Sequence, residues 1–213
     1  VSHNAVCWNL EGGTATQRTL LSNPGGLLVQ YSRAMAESRF GSFIVGARAT
    51  APIPGDPAML QGVLLQPFLW RTSATSCNEV AAQQIPMLPG FNSCIAEDVS
   101  KDGSTVVGSC SSLSVDATGN LSVDDYESFV FDVGSGVIRS ITAVLTSYGE
   151  TAHHGLTLYQ ATGVSKDGRW ACGNAFNNTT GTSVAWVANL RGRPRFVGPS
   201  IPPSTPARPP IRL

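Results

Sequence analysis

Residues 96–108, AEDVSKDGSTVVG, reveal the architecture of this chain because the sequence contains them in three related copies. Residues 34–46 (AMAESRFGSFIVG) and 161–173 (ATGVSKDGRWACG) align with them without a gap. The copies begin 62 and 65 positions apart, counting 96−34 and 161−96. A chain that repeats itself at such an interval is an array of similar supersecondary units, each packed on its neighbours.

Each copy predicts a β-hairpin. In the second copy Asp102 and Gly103 separate two apolar runs, and Asp167 and Gly168 do so in the third. An Asp-Gly pair between apolar runs is a strong hairpin signal because glycine accepts the positive φ that the turn requires. The first copy lacks the aspartate and keeps only Gly41.

A glycine and a downstream aromatic strand complete the repeat. The second strand of each hairpin is predicted to end at a glycine, where the backbone passes close to a neighbour: Gly46, Gly108 and Gly173. The aromatic strands that follow are centred on Trp70, Phe131 and Trp186, with a fourth, at Trp8, that has no hairpin before it. We expect these aromatic side chains to pack between units rather than to bind a ligand.

These features predict an all-β fold, a β-propeller-like array of antiparallel four-stranded units. The predicted single repeat domain spans 1–198, with a partial unit at 1–28, whole units at about 29–90, 91–152 and 153–198, and a Pro-rich tail at 199–213. One short helix is expected near 140–149, since Ile141, Val144, Leu145 and Tyr148 have helical spacing and Gly149 follows as a C-cap.

The number of units leaves closure of the array open. Three units and one partial unit cannot easily close a ring, because propellers need at least about four blades. Either residues outside this chain supply the missing hairpin, or copies of the chain associate, or the array stays open. The chain begins with Val1, partway into a unit, so processing, truncation or a partial sequence is expected.

Composition limits the partners that the chain can have. Charged residues make up 13% of the sequence and the formal net charge is zero, so nothing favours nucleic acid or an anionic membrane surface. No apolar run approaches the roughly 18 to 20 residues of a membrane-spanning helix. Low charge and abundant small polar residues favour an exported protein, secreted or at the cell surface.

Five cysteines form an odd set. Cys77 and Cys94 flank a short segment that one disulfide could link, and two buried thiols are the alternative. Cys172 aligns with Val107 and is predicted to be a small core residue, while Cys110 could be free. The sequence contains no C-x-x-C pair, so the cysteine spacing does not predict a zinc site.

At these motifs the chain resembles the bacterial extracellular repeats known as HAF repeats, which occur in exported and autotransporter-like proteins. The pattern, an A-x-x-V/I-S-x-D-G-x-x-V-V-G hairpin before an aromatic strand, is matched by Ala96, Val99, Ser100, Asp102, Gly103, Val106, Val107 and Gly108. It is matched again by Ala161, Val164, Ser165, Asp167, Gly168 and Gly173. The resemblance implies a propeller-like array outside the bacterial cell and carries no catalytic residues.

Signals for chemistry are weak, and we predict neither catalytic residues nor a cofactor. A loop with alternating oxygen ligands is a faint calcium candidate, with a polar surface turn as the ordinary alternative: Asp116, Thr118, Asn120 and Asp124. The leading hypothesis is a non-enzymatic exported module that binds a protein or glycan at the cell surface or builds an assembly. The alternative is an extracellular glycan-acting hydrolase or lyase that uses loop carboxylates: Asp98, Asp102, Asp125 and Asp167.

Overall fold

The described part of the chain forms four antiparallel sheets in which neighbouring strands follow one another along the sequence. A computed structural model describes residues 6–11, 14–19, 32–38, 42–56, 62–72 and 79–191. Within these ranges the expected all-β class is confirmed, with one short helix and sheets of up to four strands.

We name the three larger sheets A, B and C. A hairpin of β1 (Val6–Glu11) and β2 (Thr14–Thr19) precedes them. Sheet A contains β3 (Ser32–Glu37), β4 (Phe43–Pro52), β5 (Val63–Thr72) and β6 (Glu79–Gln84). Sheet B contains β7 (Ser93–Val99), β8 (Thr105–Val115), β9 (Leu121–Asp132) and β10 (Val137–Ser140), and α1 (Ile141–Ser147) follows. Sheet C contains β11 (Leu156–Val164), β12 (Trp170–Asn177) and β13 (Thr182–Asn189).

The sheets pack on one another in chain order. The edge strand β7 of sheet B lies against β3, β4 and β5 of sheet A, and β11 of sheet C lies against β7, β8 and β9. One apolar core therefore joins sheets A and B, and a second joins sheets B and C. Within the described ranges no helix is long and apolar enough to cross a membrane.

The same β-bulge recurs in the first hairpin of every unit. An alanine of the first strand pairs with the repeat glycine, and the register shifts by one residue directly after it: Ala34 with Gly46, Ala96 with Gly108, and Ala161 with Gly173. A Cβ atom on these glycines would overlap the backbone carbonyl oxygens of Arg33, Ile95 and Gln160. The predicted close approach is therefore confirmed, but the strands continue past the glycine rather than ending there.

Serine and aspartate side chains close the hairpin turn. The Ser100 hydroxyl donates to Asp102 Oδ1 at 2.7 Å and accepts the Thr105 amide at 3.0 Å, while Gly103 adopts a φ of +72°. In the third unit the hydroxyl of Ser165 likewise donates to Asp167 and accepts the Trp170 amide. Ser38 accepts the Phe43 amide at 3.1 Å in the first unit, so the serine acts there too.

Gly41 lies outside the described residues. The backbone of Trp8 belongs to β1, but its side chain lies outside the described part of the chain.

The pairing of strands shows that Trp70, Phe131 and Trp186 are not all at equivalent positions of the repeat, contrary to the prediction from the sequence. Trp70 pairs with Ile44 and Phe131 with Val106, whereas Trp186 pairs with the repeat glycine Gly173. Trp186 thus corresponds to Phe68 and Phe129, which pair with the other two repeat glycines. Trp70, Phe131 and Trp186 are nevertheless all buried. Phe131 and Trp186 belong to the cores between sheets, whereas Trp70 clusters with Ile44 and Phe68 of its own sheet.

Helix α1 begins and ends where the sequence predicts. The Ser140 side chain caps it by accepting the Ala143 amide at 2.9 Å. Gly149, with a φ of +73°, follows the last turn and its amide donates to the Thr146 carbonyl. Ile141, Val144 and Leu145 are buried between sheets B and C, so this apolar face fastens the helix to the core.

A disulfide joins Cys94 to Cys110 across β7 and β8, with the two Cα atoms 4.0 Å apart. The turn pairs Val99 with Val106, which alone would place Cys94 opposite Ser111; the bulge shifts the register and brings Cys110 opposite Cys94. The prediction of a Cys77–Cys94 bridge and the prediction that Cys110 could be free are therefore wrong, because Cys94 and Cys110 are bonded to each other. Cys77 lies outside the described residues.

We expect Gly173→Ala to lower the free energy of unfolding by about 2–3 kcal/mol, since its Cβ must displace a backbone carbonyl rather than a movable side chain. Gly134→Ala is the matched control, because a Cβ there meets only the Asp132 side chain, at an ordinary 3.5 Å. Urea unfolding of both variants gives the comparison. Equal stability of the two variants would contradict the bulge argument.

Replacing both Cys94 and Cys110 by serine is expected to lower the free energy of unfolding by about 2–4 kcal/mol, because the bridge restricts the unfolded chain. Cys172→Ser is the control, since Cys172 is free and exposed. Non-reducing peptide mapping gives a direct check, and a peptide linking Cys77 to Cys94 would show that the pairing is wrong.

Candidate functional site

The two turn aspartates that the hydrolase alternative would use are hydrogen-bonded within their own turns. Asp102 and Asp167 accept hydrogen bonds from the serine hydroxyls and backbone amides of their turns, and these bonds lower the pKa of both carboxyl groups. Neither group is held in a state that favours accepting or donating a proton near neutral pH.

The other two proposed carboxylates also bind backbone amides. Asp98 accepts the amides of Val99 and, across the interface between sheets B and C, Val164 at 2.7 Å. Asp125 accepts the amide of Tyr126 at 2.8 Å. All four aspartates therefore have identified structural partners.

The calcium candidate loop forms a closed polar turn. Asp116 Oδ1 accepts the Thr118 amide, the Thr118 hydroxyl and the Asn120 amide at 2.8, 2.6 and 3.0 Å. Asp124 binds elsewhere, to the hydroxyls of Ser114 and Ser122. Over the described ranges no three His, Cys, Asp or Glu side chains are grouped as metal ligands.

A cleft of about 390 Å³ lies where sheets B and C meet, and its mixture of polar and aromatic side chains makes it a candidate site. Strands β7, β8, β9 and β11 form most of its walls, and β5 contributes one side. The disulfide Cys94–Cys110 lines it together with Glu97, Ser109, Tyr126, Tyr159 and Gln160. Its volume and mixed lining are typical of small-ligand sites.

Glu97 is the charged group of the cleft, and the β-bulge positions it. It stands between Ala96 and Asp98, at the register shift. Its Oε1 accepts long hydrogen bonds from Gln160 Nε2 at 3.4 Å and Ser109 Oγ at 3.5 Å. Burial raises the pKa of Glu97, partly offset by Gln160, the positive charge of Arg33 and Ser109.

Two tyrosines form the apolar side of the cleft. The rings of Tyr126 from β9 and Tyr159 from β11 contact each other, with centroids 6.1 Å apart and planes inclined at 60°. Both also line a neighbouring cleft of about 450 Å³, together with Thr157, Phe176 and Ser183. The tyrosine pair therefore stands between two concave surfaces.

The sequence-based search missed Glu97, Tyr126, Tyr159 and Gln160 as site residues. The aligned copies have Met35, Glu97 and Thr162 at the bulge position. Because the residue at this position differs between copies, the packing of the repeat does not determine it. That variation was the sequence signal that could have pointed to Glu97 as a site residue.

A half-buried carboxyl group lies beside the disulfide but does not line either cleft. Glu127 pairs with Cys110 in the register of β8 and β9 and accepts the Thr142 hydroxyl at 2.9 Å. Burial, with a smaller contribution from the charge of Asp125, raises the pKa of Glu127 to about 7.

Comparison with known proteins gives no relative: no protein-family model matches the chain, and no curated protein sequence matches it significantly.

Glu127 is expected to make stability fall as pH rises from about 4.5 to 7, because the unfolded chain releases this proton first. Glu127→Gln should remove that decline and raise the free energy of unfolding at pH 8 by about 1–2 kcal/mol, allowing for solvent screening. Urea unfolding at several pH values measures both effects. A pH dependence unchanged in the variant would contradict the assignment.

Proposed function

We propose that this chain is a non-enzymatic, exported, propeller-like repeat module that assembles with a second copy of itself through an open face of sheet C. The proposal rests on one observation, the exposure of positions in sheet C whose equivalents in sheets A and B are covered. The disulfide and the HAF-like hairpins support a place outside the cell.

Register identifies the equivalent positions. Val45 pairs with Leu69 in sheet A, and Val107 pairs with Val130 in sheet B. All four are buried, because the next sheet along the chain packs on each pair. These pairs are the receiving face of their sheets.

In sheet C the same pair is Cys172 and Val187. Cys172 is exposed rather than a core residue, which corrects the prediction made from its alignment with Val107. Val187 is 43% exposed, and Phe176 on the same face is 42% exposed. An apolar sheet face that is covered twice by a repeat unit and open at its third occurrence fits a further unit of the same kind.

A second copy is the occupant that supplies such units. Sheet B covers sheet A with aliphatic and aromatic side chains, among them Ala96, Phe129 and Phe131. Sheet C covers sheet B in the same way with Ala161, Trp186 and Ala188. The receiving face is likewise apolar and contains no ionised group among these pairs, so the receiving faces of two copies can cover each other.

Val187→Asp is expected to reduce association of the chain, because it places a charge in the apolar interface. Val137→Asp is the matched control, since Val137 is also an exposed strand valine, 48% exposed, but lies on β10. Light scattering coupled to size-exclusion chromatography should give at least twice the chain mass for the wild type and the control, and the single chain mass for Val187→Asp.

Alkylation of Cys172, followed by peptide mass spectrometry, gives a second measurement. The thiol should react slowly in the assembled wild type and rapidly in Val187→Asp. A wild type that is monomeric would overturn self-association, whether Cys172 reacts quickly or is covered by residues of its own chain.

A further inference from the structure

We propose that the cleft between sheets B and C binds a neutral oligosaccharide, with the pyranose rings resting on Tyr126 and Tyr159 and hydroxyl groups held by Glu97 and Gln160. The cleft contains neither Cys172 nor Val187 of the receiving face proposed for assembly, so each proposal can fail without the other, although Phe176 borders both the receiving face and the neighbouring cleft.

The tyrosine pair supplies a surface suited to the C–H face of a sugar ring. Tyr126 is 44% exposed, and its ring contacts that of half-buried Tyr159 at 6.1 Å between centroids. Aromatic side chains combine a large apolar area with a polar end, and here both occur where two sheets meet. Such a surface binds apolar ring faces without requiring charge on the ligand.

The polar side of the cleft has hydrogen-bonding capacity to spare. The two bonds that Glu97 accepts inside the cleft, at 3.4 and 3.5 Å, are longer than the usual 2.7–3.2 Å, so both are weak. The Asn174 side-chain amide donates to Gln160 Oε1 at 3.1 Å, which leaves Gln160 Nε2 directed toward Glu97. A sugar hydroxyl can donate to Glu97 more strongly than either present partner does.

The charges and geometry favour a neutral ligand. Glu97 disfavours an anion, while the nearby positive charge of Arg33 disfavours a cation. An ammonium group binds most effectively when aromatic rings surround it, but Tyr126 and Tyr159 contact each other, with planes inclined at 60°, instead of facing each other across a gap. An uncharged sugar ring can pack its C–H face on the tyrosines and donate hydrogen bonds from its hydroxyl groups to the carboxylate of Glu97.

The second cleft indicates more than one sugar. It lies against the same tyrosine pair and adds the exposed ring of Phe176 with the hydroxyls of Thr157 and Ser183. Volumes of about 390 and 450 Å³ each fall in the range of small-ligand pockets. A linear chain can therefore occupy both sides of the tyrosines.

Calorimetric titration with cellohexaose, maltohexaose and laminarihexaose tests the proposal on the full chain. At least one of the three should bind, and Tyr159→Ala should weaken that binding by about tenfold or more because it removes half of the aromatic wall. Tyr159→Phe should retain most of the affinity. Tyr148→Ala is the control, since Tyr148 is an exposed tyrosine outside both clefts.

Tyr126→Ala gives a second variant that changes an exposed side chain, and thermal unfolding establishes that each variant is folded. Glu97→Gln keeps the size of the side chain and should weaken oligosaccharide binding only several-fold, as expected for a hydrogen bond to a neutral group. Binding of choline chloride that Glu97→Gln abolishes, with no binding of the three oligosaccharides, would overturn the proposal in favour of a cation site. Absence of binding by all four probes would also overturn it.

Discussion

A backbone carbonyl oxygen pressed against a glycine is the constraint on which every unit of this chain depends. The β-bulge after the repeat alanine places that oxygen where a side chain would begin on the opposite strand. At Gly108 the ring of Phe129 occupies the same space, at 2.7 Å from the position of a Cβ. In the second unit, hairpin, glycine and aromatic strand therefore form one packing arrangement, and in all three units an aromatic residue of that strand pairs with the repeat glycine.

Local features of the fold could be predicted from the sequence because local interactions determine them. The serine-aspartate turns use hydrogen bonds within six residues, and α1 has its own caps at Ser140 and Gly149. The aromatic register was misjudged by two residues in the third unit because Trp186 was matched to Trp70 by residue type. Pairing with Gly173, which sets the position, is a contact between strands.

The disulfide and the cleft could not be predicted for the same physical reason. Cys94 lies opposite Cys110 only because the β-bulge shifts the register by one residue, and no residue type in β7 predicts that bulge. Glu97 and Gln160 are 63 positions apart and meet because strand β11 of sheet C packs against β7 and β8 of sheet B. The sequence had suggested turn aspartates as catalytic carboxylates, but those carboxylates accept hydrogen bonds from their own turns. The half-buried Glu97 accepts only long, weak hydrogen bonds.

The receiving face of sheet C gives the array a direction. The face that is open there is the one that accepts the following unit in sheets A and B. At the other end, Phe68 and Trp70 of sheet A, which correspond to the covering residues Phe129 and Phe131 of sheet B, are already buried. In the proposed assembly two receiving faces therefore meet each other, and such an isologous contact closes at two copies instead of continuing as a filament.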